Sequence, residues 1–161
     1  MPRRRGFTLI ELLIVVAIIG IIAAIAIVNM INAIQRAKQK RSMGDMKTIA
    51  TAIEAYATDQ NFYPAAAALA LPSGLSLPTS TIDAISGSIS PTYMRAMPLV
   101  DGWNSFFLYG TSASRGDFAL CSTGADGVPE TSPSGGATTS FNADIIFVNG
   151  TFAQFPEGVQ R

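Results

Sequence analysis

The sequence predicts an α+β protein in which one very long N-terminal helix, apolar in its first half, leads into a small antiparallel β-sheet head. Three observations carry this reading. Phe7 to Val28 forms a run of 22 residues in which only Thr8 and Glu11 are clearly polar. Beyond it, Met30, Ile31, Ile34, Ala37, Met43, Met46, Ile49, Ala50, Ile53 and Tyr56 recur at spacings of three and four, and no proline stands between Pro2 and Pro64. That is the pattern of a helix with one apolar face. After residue 100, three short segments rich in Phe, Tyr, Val and Ile are bounded by Gly, Asn or Asp, as strands are.

Composition narrows the classes. With 161 residues there is room for one domain of ordinary size. A mean hydropathy of +0.33 and 14% charged residues exclude an intrinsically disordered chain. One Cys and no His exclude an internal disulfide, a Cys/His zinc centre and catalysis by a histidine base. The net charge of zero hides a split. Residues 1–47 hold Arg3, Arg4, Arg5, Arg36, Lys38, Lys40, Arg41 and Lys47 against Glu11 and Asp45, a net of +6, and residues 48–161 carry −6. Basic residues flanking a membrane segment account for most of this, so the charge does not argue for nucleic acid as a partner.

At about 1.5 Å per residue the apolar run spans roughly 33 Å, enough to cross a hydrocarbon core of about 30 Å. It is longer than the 7–15 apolar residues of a cleaved secretory signal. Arg3, Arg4 and Arg5 favour a cytoplasmic N-terminus, but Arg36, Lys38, Lys40 and Arg41 follow the run closely, so charge alone leaves the orientation open. Glu11 is the residue that needs a reason. A carboxylate in lipid costs on the order of a few kcal/mol unless it is paired, so Glu11 either snorkels to the interface or has a functional partner.

The residues Arg5-Gly6-Phe7-Thr8-Leu9-Ile10-Glu11-Leu12 resemble the processing site of type IV prepilins and of the pseudopilins of type II secretion. The resemblance implies the type IV pilin fold and a leader, residues 1–6, which a prepilin peptidase removes after Gly6. Phe7 would then be N-methylated, and Glu11 would be the fifth mature residue. Cutting creates an amine at Phe7, a natural partner for the Glu11 carboxylate within the same helix or across neighbouring subunits. In the family it is the neighbouring subunit that counts, the pair setting axial register in a filament. Removing the leader changes the net charge from 0 to −3.

The remaining organisation follows in order: 7–28, membrane and filament-core helix; 29–59, its amphipathic continuation; 60–161, a globular head. A helix of that length, about 80 Å, cannot bury its first half in so small a head. That half needs lipid first and other copies afterwards. Gly20, Ala23, Ala24 and Ala26 either allow close helix approach or are ordinary helix composition. Many relatives carry Pro at the twenty-second mature position, which is Val28 here. A kink in the filament would therefore arise at Gly20, or at Asn29 and Asn32, or not at all. The helix should end near Asp59, before Phe62-Tyr63-Pro64. Residues 65–92 read as a connection with one or two short helices, and Trp103–Gly110, Asp117–Ser122 and Asp144–Phe152 read as three antiparallel strands.

A second resemblance covers Asp101-Gly102-Trp103-Asn104, Ser122-Thr123-Gly124-Ala125-Asp126-Gly127-Val128-Pro129 and Asn142-Ala143-Asp144-Ile145. It is similar to the C-terminal half of the major pseudopilin of type II secretion, whose loop holds a structural calcium. By motif position Asp126 and Asp144 would be side-chain ligands, Ser122 a third, and the carbonyls of Thr123 and Val128 would complete a shell with water. Ala143 stands where the family often has a further Asp, and 131–140 is an insertion. Ala125-Asp126-Gly127 reads equally as an Asp-Gly turn. Cys121 reads as a small buried residue, and Asn149-Gly150 as a turn.

The expected function is therefore a structural subunit, not an enzyme. It would be a major pseudopilin at the bacterial inner membrane, single-pass, with its N-terminus cytoplasmic and its head periplasmic, polymerised into a filament that drives protein export. The implied partners are other copies of itself, prepilin peptidase, minor pseudopilins, the inner-membrane assembly platform and, before assembly, lipid. The alternatives are a subunit of a surface type IV pilus, which the Ser/Thr/Gly segment 131–140 would suit, and a membrane-anchored periplasmic enzyme or binding domain.

Overall fold

A computed structural model of the chain describes residues 6–66, 80–131 and 133–160. Residues 1–5 of the expected leader and the 67–79 part of the expected connecting segment lie outside these. Helix α1 runs Leu9–Gln60, two residues later at its start and one later at its end than the sequence reading. Its hydrogen bonding is not interrupted at Gly20, Asn29 or Asn32. Asn61, with φ +62°, closes the helix by donating its N–H to the Ala57 carbonyl at 2.8 Å.

The helix serves two compact units, Met1–Ile34 and Gln35–Arg161. Within the first, the described large apolar side chains from Phe7 to Ile34 are all exposed. Within the second, Gln39, Ser42, Met46, Ile49, Ala50, Ala52 and Ile53 are buried, mostly three or four positions apart. Met43 and Tyr56 pack partly against the same core. Of the residues spaced three and four apart from Met30 onward, Met30, Ile31, Ile34 and Ala37 are exposed, and the pattern becomes a buried face only beyond Ala37.

The core is completed by Ile82, by Ile85 and Ile89 of α2 (Asp83–Ile89), by Phe107 and by the sheet. Each of these large side chains contributes roughly 1.5–3 kcal/mol by leaving water. The sheet has six strands: β1 (Ser80–Thr81), β2 (Leu108–Thr111), β3 (Phe118–Ser122), β4 (Gly136–Thr138), β5 (Ile145–Val148) and β6 (Thr151–Pro156), in the order β1-β2-β3-β5-β6-β4. All neighbours are antiparallel except β4 and β6, which are parallel.

Three strand readings change. The segment Trp103–Gly110 pairs as a named strand only from Leu108, because Asp101 folds its start into a turn. The segment Asp144–Phe152 is not one strand but the hairpin β5–β6. Asn149 and Gly150, with φ of +44° and +91°, form its two-residue turn. The insertion contributes the edge strand β4.

Candidate functional site

Just before α1, Gly6 and Phe7 are exposed, which leaves the expected processing position accessible. Directly after them, Thr8 and Glu11 form a reciprocal cap. Glu11 Oε2 accepts from the Thr8 backbone N–H at 2.8 Å and from the Thr8 hydroxyl at 2.7 Å, while the Glu11 N–H donates to Thr8 Oγ1 at 3.3 Å. This is the capping box, which satisfies donors that the first turn of a helix otherwise leaves open. The Glu11 carboxylate therefore has a partner in its own first turn. Thr8 was missed in the sequence, although Thr-x-x-Glu before an apolar run is itself a readable signal.

In the head, the loop after β3 closes against the segment before β5. The Ala125 N–H donates to the Phe141 carbonyl at 2.9 Å. Gly124 has φ +66°, and a Cβ there would stand 2.6 Å from the Asn142 carbonyl oxygen, so no side chain fits. Asp126 Oδ1 accepts from the Val128 N–H at 3.1 Å, the Asx turn of an Asp-Gly loop. Asp126 and Val128 are exposed, Thr123 and Asp144 buried.

Asp144 is the centre of this region. Its Oδ2 accepts from the Glu130 N–H at 3.0 Å and the Cys121 thiol at 3.5 Å, and its own N–H donates to Glu130 Oε1 at 3.4 Å. Gln154 Nε2 donates both to Glu130 Oε2 and to the Asp144 carbonyl, each at 3.0 Å. Asp144 Oδ1 and Thr123 Oγ1 are buried with no hydrogen-bond partner. Desolvation pushes the Asp144 carboxyl up to about 6, opposed by the bonds from Glu130 and Cys121 and reinforced by the Glu130 and Asp126 charges. Burial, then the Asp144 charge, pushes the Cys121 thiol well above its ordinary value, so it is a packing residue and not a nucleophile.

The structure brings Thr123, Asp126 and Asp144 into one region but turns Ser122 elsewhere. Neighbouring residues of a strand face opposite ways; Cys121 meets Asp144, and Ser122 donates its hydroxyl to Asp101 Oδ2 at 2.6 Å. Asp101 in turn uses Oδ1 to hold the N–H groups of Trp103 and Ser105 at 2.9 and 3.0 Å. Glu130 and Gln154 were missed in the sequence, because only the fold places them beside Asp144.

For a hard cation the donors are oxygen-only: two carboxylates, an orphaned hydroxyl and loop carbonyls. No group of three or more His, Cys, Asp or Glu converges among the described residues, so carbonyls would supply much of a shell. The unpartnered Oδ1 of a buried carboxylate is the atom that such an ion would satisfy.

Residues 29–140 match the family model described as type II secretion system, protein G, and residues 1–27 match the prokaryotic N-terminal methylation motif. The chain belongs to the type II secretion system protein G family. A long apolar N-terminal helix with a mixed, mainly antiparallel sheet head is the type IV pilin arrangement, and the family is one of structural pseudopilins. Relatives named type II secretion system core protein G agree. The one from Pseudomonas aeruginosa is 35% identical over 135 residues, covering 79% of this chain and 89% of the relative. That from Klebsiella pneumoniae is 29% identical, covering 81% and 91%, and that from Pectobacterium carotovorum 27%, covering 80% and 81%. No solved structure gives a significant match.

Proposed function

We propose that this pseudopilin is the major filament subunit of a type II secretion apparatus and has no catalytic role. It is inserted once across the inner membrane, with its N-terminus cytoplasmic and its head periplasmic. A prepilin peptidase cuts it after Gly6 and Phe7 is methylated. Mature copies then polymerise on the assembly platform, with minor pseudopilins, into a filament that moves exported proteins. The observation that carries the reading is the exposed apolar stretch from Phe7 to Ile34, directly behind an exposed Gly6. Such a surface has to be covered by lipid or by other copies.

Cleavage gives Glu11 a second candidate partner, the Phe7 amine of a neighbouring copy. Loss of one member of a desolvated pair costs several kcal/mol, so Glu11→Ala should leave cleavage intact and abolish filaments. Intact mass and N-terminal sequencing of chain co-expressed with a prepilin peptidase test the reading. A chain beginning at methylated Phe7 supports it; one that keeps residues 1–6 contradicts it.

We further propose a structural calcium at the β3–β5 loop. Asp126, Asp144 and the carbonyls of Thr123 and Val128 would hold it, and the ion would supply the positive charge that the buried Asp144 lacks. The orphaned Asp144 Oδ1 and Thr123 Oγ1 support this. Ion binding at about 100 times its dissociation constant stabilises by about 2.7 kcal/mol, a shift on the order of 10 °C for a head of this size. Chelation should lower the melting temperature by that order, and Asp144→Asn should melt alike with or without calcium.

A further inference from the structure

A shallow groove of about 310 Å³ in the second unit is formed by α1 and the C-terminal segment after β6. Arg36, Lys40 and Met43 share one stripe of the helix, Glu157 and Gly158 form the opposite wall, and Gln39 and Gln160 close the floor. The floor is tied together by its own hydrogen bonds. Gln39 Nε2 donates to Gln160 Oε1 at 3.1 Å, and Gln160 Nε2 donates to the carbonyls of Thr138 and Glu157 at 2.8 and 2.9 Å.

The walls are the opposite case. Arg36, Lys40 and Glu157 are all exposed, yet the one ion pair among the described residues is Arg41 with Asp45, at 3.5 Å. Two cations and an anion thus line one groove without pairing with each other. Their place along the chain matters too. Ile34 is the last of the exposed large apolar side chains of α1, and Arg36 follows two residues later. Arg36 to Lys40 rises only about 6 Å along the helix, comparable with the headgroup layer of roughly 5–8 Å that borders each side of a hydrocarbon core. Val159, between Gly158 and Gln160 in the chain, is an exposed apolar residue.

We propose that this groove holds the headgroup of an amine-bearing phospholipid: Arg36 and Lys40 take the phosphate, and Glu157 takes the ammonium. The charge arrangement selects this occupant. A purely anionic headgroup would meet Glu157 unfavourably, and a quaternary ammonium would offer that carboxylate no hydrogen bond. The inference rests on the membrane-anchored reading, and it gives the subunit a lipid that must be released when a copy leaves the bilayer for the filament.

Native mass spectrometry of the full-length chain, released from micelles doped with equal amounts of phosphatidylethanolamine, phosphatidylglycerol and phosphatidylcholine, tests it. The unaltered chain should retain one phosphatidylethanolamine in preference to the other two. One basic side chain near lipid phosphate contributes roughly five-fold, so the Arg36→Ala/Lys40→Ala pair should lose retention by about ten-fold or more. Glu157→Gln should keep lipid but lose the preference over phosphatidylglycerol. Arg95→Ala, an exposed charge elsewhere in the head, should change nothing. Equal retention of all three lipids, retention unchanged in the double variant, or an equal loss with Arg95→Ala would overturn the proposal. Processing at Gly6 is read separately, from the intact mass of chain co-expressed with a prepilin peptidase, so failure of the lipid site is separable from failure of the filament reading.

Discussion

The two halves of α1 belong to one uninterrupted helix and end in opposite conditions. Between Leu9 and Ile34 the described large apolar side chains remain exposed; between Gln39 and Ile53 a stripe of seven residues is buried. The first half is apolar all round and suits a surrounding that is itself apolar. The second half is apolar on one face and polar elsewhere, and it suits a sheet on one side and water on the other. Helix propensity does not distinguish them; the width of the apolar face does.

The largest effect that would sharpen this contrast is a matched pair of truncations. Ile49→Ala should destabilise the head by about 2–4 kcal/mol, because Ile49 is fully buried. Ile14→Ala, an identical change in the first half, should leave the melting of the head where it is. Denaturation of both variants in the same detergent checks this, and equal effects would break the comparison.

Next comes the attachment of the Asp101 loop to the second half. A Cβ on Gly102 would collide with the Lys38 carbonyl oxygen of α1. The Gly102 N–H also donates to the Ser42 hydroxyl at 2.9 Å, and Ser42 donates to the Lys38 carbonyl at 3.0 Å. Gly102→Ala should cost about 1–3 kcal/mol by overpacking, read as a lower denaturation midpoint. Trp103→Phe removes one bond, from Nε1 to Gln35 Oε1 at 2.6 Å, and should cost about 1 kcal/mol. The smallest effect is expected from Arg41→Ala. Its pair with Asp45 is a partly exposed i,i+4 bridge, and the change should stay within about 0.5 kcal/mol and fade further in salt.

How far the sequence could be read follows from how local each signal is. The apolar run, the three-four periodicity and the start of β3 are encoded within their own segments, and they appear close to the expected boundaries. Asn149-Gly150 is the turn the sequence suggests, but the expected strand Asp144–Phe152 runs through it, because only these two residues separate β5 from β6. β1 and β4, two and three residues long, are too short to show any alternation and exist through pairing with distant segments.

The candidate sites divide in the same way. Gly6, Phe7 and Glu11 form a motif within six residues and could be found directly. Thr8 lies inside that motif, but its role belongs to the helix end and not to the membrane, so the apolar run around Glu11 does not point to it. Around Asp144, the reciprocal bonds with Glu130 span 14 residues and the single bond from Cys121 spans 23, so tertiary structure alone brings them together. Ser122 shows the converse: a motif position is not a direction, and strand alternation sends its hydroxyl to Asp101.

The central claim is that the first half of α1 is covered by other copies of the same chain after processing. Disulfide cross-linking of Ile14→Cys, in cells that contain the prepilin peptidase and the assembly platform, tests it most directly. Cys121, buried and with its thiol pKa raised, makes the unaltered chain a built-in control. The account predicts dimers and higher multimers from Ile14→Cys, none from the unaltered chain, and their loss when Glu11 is also changed to Ala. Monomer alone from Ile14→Cys, with the chain processed and the platform present, would contradict it.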